Sequence, residues 1–331
     1  MSQVQSTEPA VEQLVPIEGE VDAVQGRSPW QLFWTRFKRD RIAMGAAIVL
    51  IALIAMALLA PWFASSVAHH TPTQINQDVT SDIGLPLIGP SKAYWMGVDQ
   101  LGRDVFVRAL YGARTSLFIA LTGTAFSLVA GIILGLIAGF SGGKVDTFIS
   151  RLADIFLALP LLLMAIGLAA SCGTSVEGCN LGLFHITPGP WLVIFIISFF
   201  GWPYVARIVR GQTLSLRERE FVEASRSIGF GTGHIMFREV LPNLVTSIIV
   251  VATLLIPINI LFEAALSFLG VGVPAEIPTW GGMIADATNG RLYTLAWWML
   301  VAPGVFLVVT TLSFNLLGDG LRDAFDPRYG R

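Results

Sequence analysis

Of the 331 residues, 54% are hydrophobic and only 13% charged, with a formal net charge of −2. Soluble domains carry about a quarter charged residues, so this composition excludes one and describes a chain that crosses a membrane several times. The near-neutral balance leaves no basic field for nucleic acid.

Residues 1–29 carry Glu8, Glu12, Glu18, Glu20 and Asp22 against Arg27 alone. That is the composition of a disordered cytoplasmic tail rather than a secretory signal. Trp30, Phe33, Trp34 and Phe37 then recur at i, i+3, i+4 and i+7, with Arg36, Lys38, Arg39 and Arg41 around them. Residues 30–41 are expected to form a helix in the headgroup plane, in contact with lipid, or an aromatic anchor for the first span.

Six apolar runs approach the roughly 20 residues that a span requires: about 42–62, 115–139, 147–170, 191–210, 243–268 and 294–317. The first span occupies 42–63, and residues 113–318 hold the other five. Asp154, Pro160 and Pro203 leave the third and fourth loosely bounded. Between the first and second spans, residues 64–112 are too long for a passive connector and too rich in Pro, Gly and Asp for a span. The stretch Tyr94–Arg108 alternates glycines with charges and aromatics. It reads either as a folded surface loop that receives something from outside or as a solvated cap. His69 and His70 read as a loop pair.

In the second span Gly131, Gly135 and Gly139 make two successive small-xxx-small steps on one face, which admits a neighbouring helix closely. Asp154 in the third span is a functional candidate by its depth, or an ion pair with Arg151 one turn away. Cys172 and Cys179 lie in the next outside loop, where a disulfide is permitted; no metal-ligand pattern accompanies them. In the fifth span Asn259, Glu263 and Ser267 form a polar stripe at one-turn spacing. It faces either a translocation path or a neighbouring helix.

Residues 211–242 form a polar island between the fourth and fifth spans. Phe221, Ala224 and Ile228 line one face of a short helix, with Glu220, Glu223 and Arg226 opposite. Gly229, Gly231 and Gly233 end it in a turn before a second helix near His234. This is the pattern of a docking loop, or of an ordinary helical hairpin. A cytoplasmic tail, 319–331, closes the chain. With the N-terminus inside, sixteen of the 21 Lys and Arg fall on the cytoplasmic side and five (Lys92, Arg103, Arg108, Arg114, Arg291) outside. That bias puts both termini and the 211–242 loop in the cytoplasm.

Enzyme signatures are missing. Residues 138–145 approach a phosphate loop but lack its first glycine and final Ser/Thr, so the chain is not expected to bind ATP. No His-Glu-x-x-His occurs, and the one Gly-x-Ser-x-Gly, Gly139–Gly143, joins two apolar spans rather than forming a strand-to-helix elbow.

Glu223-Ala224-Ser225, Gly229 and Leu241-Pro242 resemble the "EAA" loop in the membrane subunits of binding-protein-dependent ABC importers. Ser225 replaces the second alanine and Glu239 stands where isoleucine is usual. Further blocks resemble the second permease of the oligopeptide, dipeptide and nickel importers. They are Gly97–Val105, Tyr111–Leu117, Arg238–Asn243, Glu263–Gly272, Pro278–Gly281, Asn315–Asp323 and Asp326-Pro-Arg328. The resemblance covers about residues 30–328, with the Cys172–Cys179 loop looking like an insertion. It implies an all-α, six-span permease of the type I importer kind in a bacterial inner membrane. It also implies a homologous permease partner, two cytoplasmic ATPase subunits that hold ATP and Mg, and an extracytoplasmic substrate-binding protein. Peptides are the expected substrate class, nickel and other small solutes the alternatives. In that setting Phe221, Ala224 and Ile228 fill a groove on the ATPase, Glu223 lies at its rim and Gly229 permits the turn. Two rival classes stand beside this one: an ion-coupled secondary transporter, which would use Asp154 and Glu263, and a scaffold without transport.

Overall fold

The computed structural model describes residues 29–81, 85–86, 88–173, 179–180, 185–186 and 189–325. The expectations for the acidic tail before residue 29 and for Asp326-Pro-Arg328 lie outside these residues. The described chain is mainly helical, with largely irregular stretches over about 69–104 and 269–279 and a two-residue antiparallel pair, Cys179–Asn180 with His185–Ile186. Among the described residues five helices are long and apolar enough to cross a membrane, or six spans are present if one sharply bent pair counts as one.

Helix α1 (Pro29–Phe37) precedes α2 (Arg41–Leu58), whose N-terminus is capped by Asp40 accepting from the backbone N–H of Ile42 and Ala43. On α1 the rings divide: Phe33 and Phe37 are buried, Phe33 stacks on Phe325 at 4.3 Å between centroids, and Trp34 points outward. The expected display of all the rings to lipid is therefore corrected, because the end of the last helix covers two of them. On α2 only Ala43, Ala46, Leu50, Leu53 and Ala57 are buried, one stripe at helical spacing. The other apolar side chains, such as Ile51 and Leu58, stay exposed on the face left for lipid.

Helix α3 (Val105–Ser141) begins well before residue 115, capped by Asp104. The third expected span is two helices, α4 (Gly143–Ala158) and α5 (Leu161–Gly173), at 83° to one another. Pro160 is the cause: it has no N–H to donate and holds Leu159 extended (φ −76°, ψ 137°). Pro203 by contrast sits inside a continuous α6 (Pro190–Leu216).

The core is the α3–α6 pair. A Cβ added at Gly131 would lie 2.5 Å from Val205 Cβ, at Gly135 2.7 Å from the Ala206 carbonyl oxygen, and at Gly139 2.7 Å from Thr213 Cβ. The glycine face thus meets α6 backbone to backbone. Ser127 Oγ donates to the Ile197 carbonyl across the same seam. After α6 come the short α7 (Glu220–Ser227) and α8 (Leu241–Phe268), which continues a turn from Thr232–His234 through a π-helical segment, Ile235–Val240. Helix α9 (Trp280–Thr288) and α10 (Trp298–Phe325) complete the bundle, α10 lying against α2 and α8.

Candidate functional site

Three polar regions stand out from the apolar bundle. The first is α7 with its flanking turns. Its C-terminus is a Schellman turn: Phe230 N–H donates to Ser225 O, Gly229 N–H to Arg226 O, and Gly229 takes φ +94°. Val222 and Ser225 face inward, Val222 in a cluster with Val209, Ile235, Val240 and Leu244. The Arg226 guanidinium lies over the Phe140 ring at 5.3 Å, and Arg217 donates to the Gly139 carbonyl at 3.1 Å. Both contacts tie the loop to the end of α3.

The opposite side of α7 is open. Glu223, Ala224, Ile228, Gly229 and Phe230 are exposed, Ile228 at 73%. Phe230 is kept rigid by stacking on His234 at 4.3 Å. The expected apolar face is corrected at one end: Phe221 is half-buried against the inner cluster, so the outward set is Ala224, Ile228 and Phe230. Phe221 stands one turn before the buried Ser225 and next to the buried Val222, so it turns partly inward with them. Leu241 is half-buried and Pro242 exposed in the first turn of α8.

The second region is the Asn259, Glu263, Ser267 stripe. Asn259 and Glu263 are turned onto neighbouring helices, the packing alternative, while Ser267 also borders a cavity between α5 and α9. Asn259 Nδ2 donates to Thr124 Oγ1 at 2.7 Å, and Ser267 Oγ donates to Glu263 Oε1 at 2.8 Å. Glu263 is fully buried and its Oε2 has no hydrogen-bond partner. Asp154 is corrected: its partner is Arg207 on α6, not Arg151 on its own helix, and the pair is solvent-accessible. Asp146, about two turns before Asp154 on α4, holds Arg210, one turn after Arg207 on α6, in a second α4–α6 pair.

The third region lies where the described residues of 64–104 meet α3, α9 and the start of α10. Asp99 Oδ1 accepts from the N–H of Leu101 and Arg103, and its Oδ2 accepts from Arg103 Nε at 2.6 Å. Arg103 Nη2 also donates to Asp286 Oδ2 on α9 at 3.3 Å. Arg108 is buried behind them, with Nε 3.5 Å from Asp99 and Nη2 4.0 Å from Asp286. Burial lifts the Asp286 carboxyl above the usual carboxylate range, against the pull of Arg103 and Arg108. The aromatic frame includes Trp298, whose Nε1 donates to Val98 O, and His70, stacked on Tyr94 and 3.1 Å from Asp104. The sequence marked Arg103 and Arg108 as charges in a loop but missed Asp286, whose only signal is spatial. Cys172 is buried and disulfide-bonded. Among the described residues no group of metal-ligating side chains assembles.

Residues 131–331 match the family model described as "Binding-protein-dependent transport system inner membrane component", and residues 28–90 match "N-terminal TM domain of oligopeptide transport permease C". The chain is 39% identical over 301 residues to the oligopeptide transport system permease protein OppC of Bacillus subtilis, covering 91% of this chain and 90% of that one. It is 38% identical over 317 residues to the dipeptide transport system permease protein DppC of Alkalihalophilus pseudofirmus (95% and 93%). With the glutathione transport system permease protein GsiD of Pectobacterium atrosepticum it shares 36% over 302 residues (91% and 92%). Its fold is similar to a chain of the MetNI methionine ABC transporter in an inward-facing conformation, with a TM-score of 0.51, 17% identity, and 67% and 97% of the two chains covered. With its multi-span helical architecture and these matches, the chain belongs to the family of inner-membrane permease components of binding-protein-dependent ABC importers.

Proposed function

We propose that this chain is the second of two permease subunits in an ATP-driven importer of di- and oligopeptides, coupled to cytoplasmic ATPases through α7. The observation that carries the coupling is the two-sidedness of α7. Val222 packs it against α6 and α8, while Ala224, Ile228 and Phe230 are exposed beside Glu223. A short stiff helix held this way passes a displacement of its outer face into both spans, since packed helices move as rigid elements. Peptide transport is supported by the oligopeptide and dipeptide relatives, and glutathione, itself a short peptide, is compatible with it.

On this reading ATP and Mg bind in the partner subunits, a homologous permease completes the path, and an extracytoplasmic protein delivers substrate. Both termini and α7 face the cytoplasm, in keeping with the positive-inside charge distribution. The test is uptake of labelled dipeptide by the complete importer in liposomes, with ATP hydrolysis measured in parallel. The Gly229→Val chain, assembled normally, should hydrolyse ATP without accumulating peptide, because a β-branched residue does not hold φ +94°. Uptake at the parental rate by that variant would end the proposal.

A further inference from the structure

A cavity of about 410 Å³ opens between the end of α5, the loop 270–277 after α8, and α9. Arg108, Ser267, Thr279 and Asp286 supply its polar wall, and Ala169 and Val271 are among its apolar lining. A volume of this size accepts a molecule of a few residues. The chemistry is asymmetric in a telling way. Arg108 is 3% exposed at its side chain, yet among the described residues its one hydrogen bond is from Nη1 to the Pro72 carbonyl at 3.2 Å. Its two carboxylate neighbours stand off at 3.5 and 4.0 Å, where they balance charge without occupying the guanidinium fork. Asp286 is engaged instead by Arg103, at 3.3 Å. Arg108 is thus a cationic side chain on the wall of an open cavity, and among the described residues its Nη2 has no acceptor at hydrogen-bond distance, Asp286 standing 4.0 Å away.

We infer that this cavity is a transit subsite for the main-chain carboxylate of a short peptide, which Arg108 holds and for which Asp286 is the resident competitor. A guanidinium N–H gives a carboxylate a charge-assisted hydrogen bond, and it does so best where water is scarce. Two Asp and two Arg leave the cluster neutral, so an arriving carboxylate meets no net repulsion. The inference rests on the peptide reading above.

The test is ATP-dependent uptake of labelled Ala-Ala and of its C-terminal amide by the complete importer in liposomes. The delivery protein's own preference cancels in each ratio of variant to parent. Arg108→Gln should depress Ala-Ala uptake about ten-fold more than uptake of the amide, the size expected for one lost charge-assisted hydrogen bond, and Arg108→Lys should recover part of it. Should Arg108→Gln fail to assemble, Asp286→Asn decides, since it removes the competitor and keeps the cation. It should lower the half-saturating concentration of Ala-Ala several-fold and leave that of the amide unchanged. Equal effects on acid and amide would overturn the subsite and leave the peptide reading standing. Failure of the parental importer to take up either compound would overturn both.

Discussion

The carbonyl oxygen of Ala206 lies 2.7 Å from where Gly135 would carry a Cβ. That distance is backbone against backbone, so neither partner has a rotamer with which to give way. Gly135→Val should therefore separate α3 from α6 and destabilise the purified chain by about 1–3 kcal/mol or more, the usual cost of overpacking. Gly45 has nothing within 4 Å of the same position. Gly45→Ala should be neutral or slightly stabilising, from helix propensity alone. Thermal unfolding in detergent of the two variants, side by side, checks the contrast.

Glu263 is sealed among helices with one oxygen bonded to Ser267 and the other unpartnered. Glu263→Gln retains the shape and an acceptor for Ser267, and should leave expression and uptake near the parental level. Glu263→Ala opens a void and strips Ser267 of its acceptor, which should cost about 2–4 kcal/mol. A proton-coupled role for Glu263 would reverse the order of interest, with the Gln variant already losing uptake while folding normally.

Asp99 and Asp286 share the same two arginines and should respond differently to neutralisation. Asp99 accepts two backbone N–H groups and Arg103 Nε, so Asp99→Asn should lower stability by about 1–3 kcal/mol. Burial raises the Asp286 carboxyl above its ordinary value, which means the folded state binds its proton more tightly than the unfolded state does. Its linked contribution therefore grows as pH falls through the raised value and fades as pH rises above it. The melting temperature of the parent complex minus that of Asp286→Asn should increase as pH is lowered from 7 to 4.

On α7 the two faces should separate fold from coupling. Ile228→Asp, at an exposed position, is expected to leave the chain's stability unchanged and to reduce ATPase recovery on affinity purification by ten-fold or more. Val222→Asp buries an unpaired carboxylate in the cluster with Ile235 and Leu244 and should abolish folding of the loop. If Ile228→Asp purifies with its full complement of ATPase, the exposed face is not the docking face.

Local physics made much of this molecule legible in one dimension. Twenty apolar residues in a row declare a span whatever surrounds them, and the glycine at 229 stops α7 because only glycine holds that backbone shape cheaply. The small-residue face of α3 could be read too, since its 4-residue spacing already places it on one side of a helix. What the sequence could not decide was which surfaces meet. Asp286 lies 183 positions from Arg103, Asp154 reaches past its own helix to Arg207 on α6, and Phe33 turns away from lipid because Phe325 is there to cover it. Charge pairing and burial depend on distance in space, and only the packing of helices remote in sequence sets that distance. The same holds for the polar stripe of Asn259, Glu263 and Ser267: its period gave a helix face, and the approach of α3 turned that face inward.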